Sequence, residues 1–329
     1  MQAVVAPYGP GAGERGRQTN MSTARHIPVM VVEVLQHLLH AHTRLVVDGT
    51  VGFGGHAEAV LRARGDISLI GVDRDGIAIA AASARLSEFA DRVRLVQGIY
   101  SDFGAVLGDR KVDGILLDLG ISSPHIDDKE RGFSHAQSGP LDMRMGEGGE
   151  SAAQAIARVD ADTLATWLYK YGEVRQSRRV ARAIVRAREE GAMSTTGDLR
   201  AAVVQALGRG PAPAELSRVF QAIRIVVNDE LVHLRHFLDG VLDRLNPGGR
   251  LVIISYHSLE DRMVKEFMRD ASATCVCPPQ VPVCVCGRTP RIRMLTRRAV
   301  GPRDEEIERN PRARSARLRA AEKVATDAS

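Results

Sequence analysis

Along the first part of the chain, short apolar, β-branched runs alternate with stretches of helical periodicity. Runs at Leu45–Asp48, Leu69–Asp73, Arg92–Val96 and Gly114–Asp118 read as strands, and the segments near 56–64, 75–87 and 101–108 read as helices between them. A further helical pattern, "HIPVMVVEVLQHLLHA", precedes the first strand. Apolar runs flanked by helices indicate βαβ units and a parallel sheet covered on both faces. Past residue 125 the pattern changes. The stretch "HIDDKERGFSHAQSGPLDMRMGEGGE" is a polar, Gly-rich loop too long for a plain connection, which points to function or disorder. From about 151 to 245 the periodicity is almost wholly helical, with glycines at C-cap positions. The sheet pattern returns at "NPGGRLVIISYHSLEDRMVKEFMRD", as a turn, a strand over 250–255 and a helix opened by Ser258 with Asp261 in a capping-box arrangement. The expected fold is α/β: a doubly wound, Rossmann-like sheet (25–135 and 246–329), an all-helical insertion (136–245) and a flexible leader (1–24).

Composition narrows the compartment and the partners. The chain has 329 residues, 44% hydrophobic, with no apolar stretch near the roughly 20 residues of a membrane span. The N-terminus lacks a secretory apolar segment, so a reducing cytoplasm is expected and the four cysteines are not a disulfide framework. Their spacing, Cys275, Cys277, Cys284 and Cys286, suits either a tetrahedral Zn²⁺ site or a Pro-stiffened loop of reduced thiols, and no metal is assigned. The net charge of +5 sits in residues 291–329, which carry eleven Lys/Arg against six Asp/Glu. Such a basic tail attracts polyanions or is simply a solvated surface. In the helical stretch, Arg175, Arg178, Arg179, Arg182 and Arg186 recur on one helix face, either as phosphate contacts or as a face paired with Glu173, Glu189 and Glu190.

The chemistry is expected where the parallel strands end. In open sheets, ligands sit beyond the carboxyl ends of the strands where the strand order reverses. Gly49, Gly52, Gly54 and Gly55 follow the first strand, and bare backbone before a helix lets a ligand approach main-chain amides. Asp73 ends the second strand, where it can accept hydrogen bonds from an adenosine ribose or cap the next helix. Tyr100 could pack on an adenine or fill the core edge. Asp118 closes the fourth strand, where a carboxylate is costly as mere packing. A nicotinamide oxidoreductase would use a tighter G-x-G-x-x-G turn than this one. A methyltransferase would have acids after strands one and two, a polar loop ending in Pro after strand four, and a "PGG" turn before strand five. The second set is present, with Pro124 in the loop and Pro247, Gly248 and Gly249 in the turn.

Seven blocks, in order, carry a closer likeness: "VVDGTVGFGGH", "GVDRD", "GILLDLGISSPHIDDKERGFS", "GPLDMRM", "FQAIRIVVNDEL", "GGRLVIISYHSLEDRMVK" and "NPRARSARLRAAEK". From about 26 to 322 the chain resembles the bacterial 16S ribosomal RNA (cytosine-N4) methyltransferase family. The resemblance implies a class I methyltransferase sheet and S-adenosyl-L-methionine as donor. It implies as target the N4 amine of a cytidine in the decoding region of 16S rRNA, within the small ribosomal subunit. Carried over by motif, the cofactor contacts would be Gly54, Gly55, His56, Asp73, Tyr100, Asp118 and His125. Ser123, in the loop after strand four, and His257, in "SYHS", stand as catalytic candidates, with helix capping as the alternative for His257. The inserted helical domain would grip RNA around a splayed-out base. A nicotinamide oxidoreductase and a non-catalytic ribosome assembly factor are the competing readings. Oligomeric state stays open, a dimer among the options.

Overall fold

The structure, a computed structural model, describes residues 28–208, 213–278 and 283–325; the expected leader at 1–24 lies outside the described residues. Its strands are β1 (Leu45–Asp48), β2 (Ser68–Asp73), β3 (Val93–Gln97), β4 (Val112–Asp118), β5 (Leu245–Ser255), β6 (Ile292–Met294) and β7 (Arg317–Lys323). They form one sheet in the order β3-β2-β1-β4-β5-β7-β6. The first five strands pair in parallel, and β7 lies antiparallel between β5 and β6. Strand order therefore reverses between β1 and β4, which opens a crevice at their carboxyl ends. The "NPGG" turn is present as a bulge inside β5: Val112 pairs with Leu245, and the ladder resumes at Gly114 with Arg250.

The sheet alternates its side chains between two cores, as the pleat requires. Val46, Leu69, Leu116, Val252 and Ile254 face α1 (Val31–Leu38), α2 (Gly55–Ala63) and α3 (Gly76–Arg85). Val47, Ile70, Ile115, Leu117, Leu251 and Ile253 face the other side, joined there by residues of α4 (Phe103–Leu107). The loop after β4 carries the short helix α5 (Ser123–Asp127). Then come α6 (Ala152–Ala157), α7 (Ala161–Gly172), α8 (Ser177–Glu189), α9 (Thr196–Leu207) and α10 (Pro213–Val227), which bury a core of their own. The long Gly-rich loop is part of that core, through Phe133, Leu141, Met143 and Met145. Asn228 pins it: its Oδ1 accepts from the Met145 amide, and its Nδ2 donates to the Met143 carbonyl, both at 2.8 Å.

Two expectations shift at the edges of this helical unit. The expected boundary at 245 falls after α11 (Glu230–Arg244), whose Leu234, Phe237, Leu238, Val241 and Leu242 are buried in the sheet's core. The basic segment near the C-terminus is mostly structure. After α12 (Ser258–Ser272) and α13 (Asp304–Arg309), its Arg319 is buried in β7 and pairs with Asp261 through two hydrogen bonds of 2.7 and 3.0 Å. Among the described residues, no helix is long and apolar enough to cross a membrane.

Candidate active site

The turn between β1 and α2 is built from its glycines. Gly52 and Gly54 hold φ of +51° and +79°, values that strain any residue with a Cβ, and Gly54 leads directly into α2. The Val51 amide donates to the Val72 carbonyl at 2.8 Å, and the Gly49 amide to the Leu116 carbonyl at 2.9 Å. The turn is thereby tied to the two neighbouring strands. A cleft of about 1150 Å³ opens above it, lined by Gly52, Gly55, His56, Asp73, Tyr100, Asp118 and His125 among others. Gly54 lies beneath that lining, against Ala82 and Leu86. Six of the seven expected cofactor residues thus share one cavity.

Each expected side chain has a defined setting. Asp73 accepts from the Gly52 amide and from the Asp75 amide, both at 2.9 Å, so its carboxylate braces the glycine turn from β2. Burial raises its pKa against those two bonds. Asp118 accepts from the Tyr256 hydroxyl at 2.8 Å, and its other oxygen lies 3.7 Å from His56 Nδ1. Burial raises the Asp118 carboxyl, while His56 and Tyr256 pull it down. The remaining His56 nitrogen meets the Val29 carbonyl at 2.7 Å and so carries the proton. Tyr100 stacks edge-on against Phe237 of α11, with ring centroids 5.5 Å apart. His125 has both nitrogens engaged, one with Asp75 at 2.7 Å and one with the Ser122 hydroxyl at 2.9 Å. Asp75 also pairs with Arg131 at 3.0 Å. Its burial would raise the carboxyl, but the hydrogen bond from His125 and the Arg131 charge outweigh it, and the pKa falls. His125 therefore braces the site and can meet a ligand only through its ring face.

The two catalytic candidates part company. Ser123 opens α5, and its side chain lies outside the described residues. His257, not Ser258, is the N-cap of α12: its Nδ1 accepts from the Glu260 amide, and Glu260 answers by accepting from the Tyr256 and His257 amides. The capping box is thus shifted one residue from the expected Ser258–Asp261 pair, because an imidazole nitrogen can serve as the acceptor. His257 Nε2 is buried without a hydrogen-bond partner; it sits 3.2 Å from Glu260 Oε1 in poor alignment. That ring lines a second cavity of about 1250 Å³, between the sheet's loops and the helical unit, with Phe133, His135, Phe220, Gln221, Arg224 and Arg312. Gly120, Ile121 and Tyr256 line both cavities and form the rim between them.

Sequence reading missed Tyr256, Asp75, Glu230 and Glu260. The signals were present, as the aromatic residue just past β5 and the second acid of "GVDRD", but their roles depend on partners far along the chain. Four carboxylates, Asp73, Asp118, Glu230 and Glu260, line the first cavity. Arg74 lines it too, and Arg224 pairs with Glu230 at 2.8 Å, so a modest acidic excess remains, which favours a ligand with a positive centre over a pyrophosphate. The strand order also departs from the dinucleotide-binding order 3-2-1-4-5-6, because β7 is slotted in before β6.

Known proteins share much of this sequence. A protein of Nitratidesulfovibrio vulgaris named ribosomal RNA small subunit methyltransferase H is 49% identical over 310 residues, covering 92% of this chain and 96% of its own. Proteins of the same name from Anaeromyxobacter and Heliobacterium mobile are 48% and 46% identical, each covering 91% of this chain and 98% and 99% of their own. The family model described as the MraW methylase family matches residues 23–324. The chain is a methyltransferase and belongs to the MraW methylase family.

Proposed function

We propose that the protein methylates the N4 amine of a cytidine in the decoding region of 16S rRNA, with S-adenosyl-L-methionine as donor. The observation that carries this reading is the pair of adjoining cavities sharing the Gly120–Ile121–Tyr256 rim. One suits the donor and the other a nucleoside drawn out of RNA. The first cavity fits the donor by its own features. Its lining is acidic, and at Gly52 and Gly98 a Cβ would meet nothing closer than 3.8 and 4.0 Å, so the backbone lies bare for close approach.

S-adenosyl-L-methionine, when bound, supplies an electrophilic methyl group on a sulfonium centre. Asp73 would hold the ribose hydroxyls with the lone pairs left free by the Gly52 and Asp75 amides. Gly55 and His56, at the start of α2, would face the carboxylate of the methionine end, with Gly54 shaping the turn beneath them. Tyr100 would pack on the adenine, held in place by Phe237. Asp118 stands below the rim. Its carboxylate can accept a hydrogen bond from the target amine and take the proton released as the N–CH₃ bond forms. Burial raises its basicity for that task. Positioning alone, with the amine held against the methyl group, is worth roughly 7–11 kcal/mol of the barrier.

For the RNA, α8 and the turn before it offer five exposed arginines: Arg175, Arg178, Arg179, Arg182 and Arg186. Two of the acids that could neutralise them are engaged elsewhere, Glu189 with Arg188 and Glu173 with the Ser258 hydroxyl. This favours the stripe as a phosphate contact and supports an RNA-gripping role for the helical unit. The experiment is transfer of tritiated methyl from the donor to small subunits lacking the modification, followed by nucleoside analysis. Label in N4-methylcytidine is the expected result; label in another nucleoside, or none, overturns the assignment.

A further inference from the structure

The connection from α12 to β6 lies outside all of this machinery, and its four cysteines converge. All four are free, and their sulfurs lie within 4.8 Å of one another. Cys284 Sγ is 3.5 Å from Cys286 Sγ, which is 3.9 Å from Cys275 Sγ. A tetrahedral ion with Zn–S bonds of about 2.3 Å places its sulfurs roughly 3.8 Å apart, so the observed separations match that polyhedron. The Cys277 amide donates to Cys275 Sγ at 3.3 Å, which fixes that sulfur's place in the cluster.

Packing does not explain the convergence. The intervening Val276, Val283 and Val285 are 57%, 70% and 80% exposed. A loop folded by apolar burial would turn these valines inward. Here the valines face solvent, and no residue of the described part of 274–287 is buried, so apolar burial does not gather the four sulfurs. The loop's base is fixed by the Arg291 amide donating to the Ala271 carbonyl at 2.8 Å and by Arg291 pairing with Asp243 at 2.8 Å. Only the tip lacks a source of stability.

We propose that Cys275, Cys277, Cys284 and Cys286 bind one Zn²⁺ ion in a closed, four-thiolate structural site. Four protein ligands leave no open position for water or substrate, so the ion orders the α12–β6 connection and takes no part in methyl transfer. Binding would drive each sulfur to the thiolate, and its free energy would replace the missing core.

The full chain is purified without chelators or metal-affinity resin, and its metals are measured by mass spectrometry, before and after incubation with Zn²⁺ and dialysis. The expected result is one zinc per chain, with all four thiols slow to react with a disulfide reagent until a chelator is added. Cobalt substitution should give the absorption of tetrahedral thiolate coordination, absent from Cys284→Ser/Cys286→Ser. Less than about half an equivalent of zinc after reconstitution overturns the site. So do thiols that react equally with and without zinc, or iron in stoichiometric amount in place of zinc. The thiol measurement on the parent chain decides the matter if the double variant fails to fold.

Discussion

The Tyr256 hydroxyl donates to Asp118 Oδ1 at 2.8 Å, across 138 residues of sequence. It joins the end of β4 to the segment after β5 at the rim between the two cavities. Burial and the neighbouring carboxylate hold the Tyr256 phenol protonated, so it is a fixed donor. Removing it in Tyr256→Phe takes away one of the interactions that lower the Asp118 pKa, which then rises further. If ionised Asp118 accepts the amine proton, the acidic limb of the kcat profile moves to higher pH. The rate below that limb falls on the order of tenfold, the worth of one hydrogen bond to a charged group. Donor affinity should barely change. A pH–rate series with both proteins checks it.

Asp73→Ala should leave the fold intact and weaken donor binding on the order of a hundredfold or more, as expected when two hydrogen bonds to a carboxylate are removed. Asp73→Asn, which keeps an acceptor for the Gly52 amide but removes the charge, should fall between the two. Calorimetric titration with the donor, alongside circular dichroism, measures both.

Asp48 gives a pH dependence of stability. It is fully buried, one oxygen accepts from the Thr50 amide at 3.2 Å, and the other has no partner. Burial lifts its pKa from 3.8 to about 7. The folded state therefore binds its proton more tightly than the unfolded state does. The stability this confers is complete below about pH 4 and declines as pH rises through 7. The decline is on the order of 4 kcal/mol, at about 1.36 kcal/mol per pH unit. Asp48→Asn cannot ionise, so its stability relative to the parent should improve between pH 5 and pH 8. Urea unfolding at the two pH values tests it, and a parallel shift of both proteins would contradict it.

The arginine stripe on α8 should act through salt. Arg178→Ala/Arg182→Ala/Arg186→Ala should weaken binding to the small subunit. It should also lower the slope of log K against log salt by about 0.7–0.9 for each phosphate that is no longer neutralised. Donor affinity should stay at the parental value. Filter binding across a salt series gives the slope.

The first five strands and the glycine turn were legible in the chain because buried parallel strands are continuous apolar runs. β1, β2, β4 and the second half of β5 are written that way, and the edge strand β3 keeps enough β-branched and apolar residues around Arg94 to be read. β7 was not legible. "RLRAAEK" places arginine in alternate positions, and Arg319 is tolerated in the sheet only because Asp261, on α12, neutralises it. α11 has the same amphipathic period as the helices before it, and nothing local says that Phe237 faces Tyr100 on the sheet and not the helical core. His257 was legible as an N-cap neighbourhood but not as the cap itself, since serine is the commoner capping residue. Asp73 and Asp118 could be placed from strand ends alone. Tyr256 could not, because its role exists only when β4 and β5 are paired.

The central claim is that the donor rests on the glycine turn, tethered by Asp73, with its methyl group directed at the Gly120–Ile121–Tyr256 rim. A crystal structure with S-adenosylhomocysteine and cytidine bound tests it most directly. The account predicts ribose hydroxyls on the Asp73 carboxylate, the sulfur facing the rim, and the cytidine amine beside Asp118. A nucleoside lodged elsewhere, or a donor whose ribose does not touch Asp73, would contradict it.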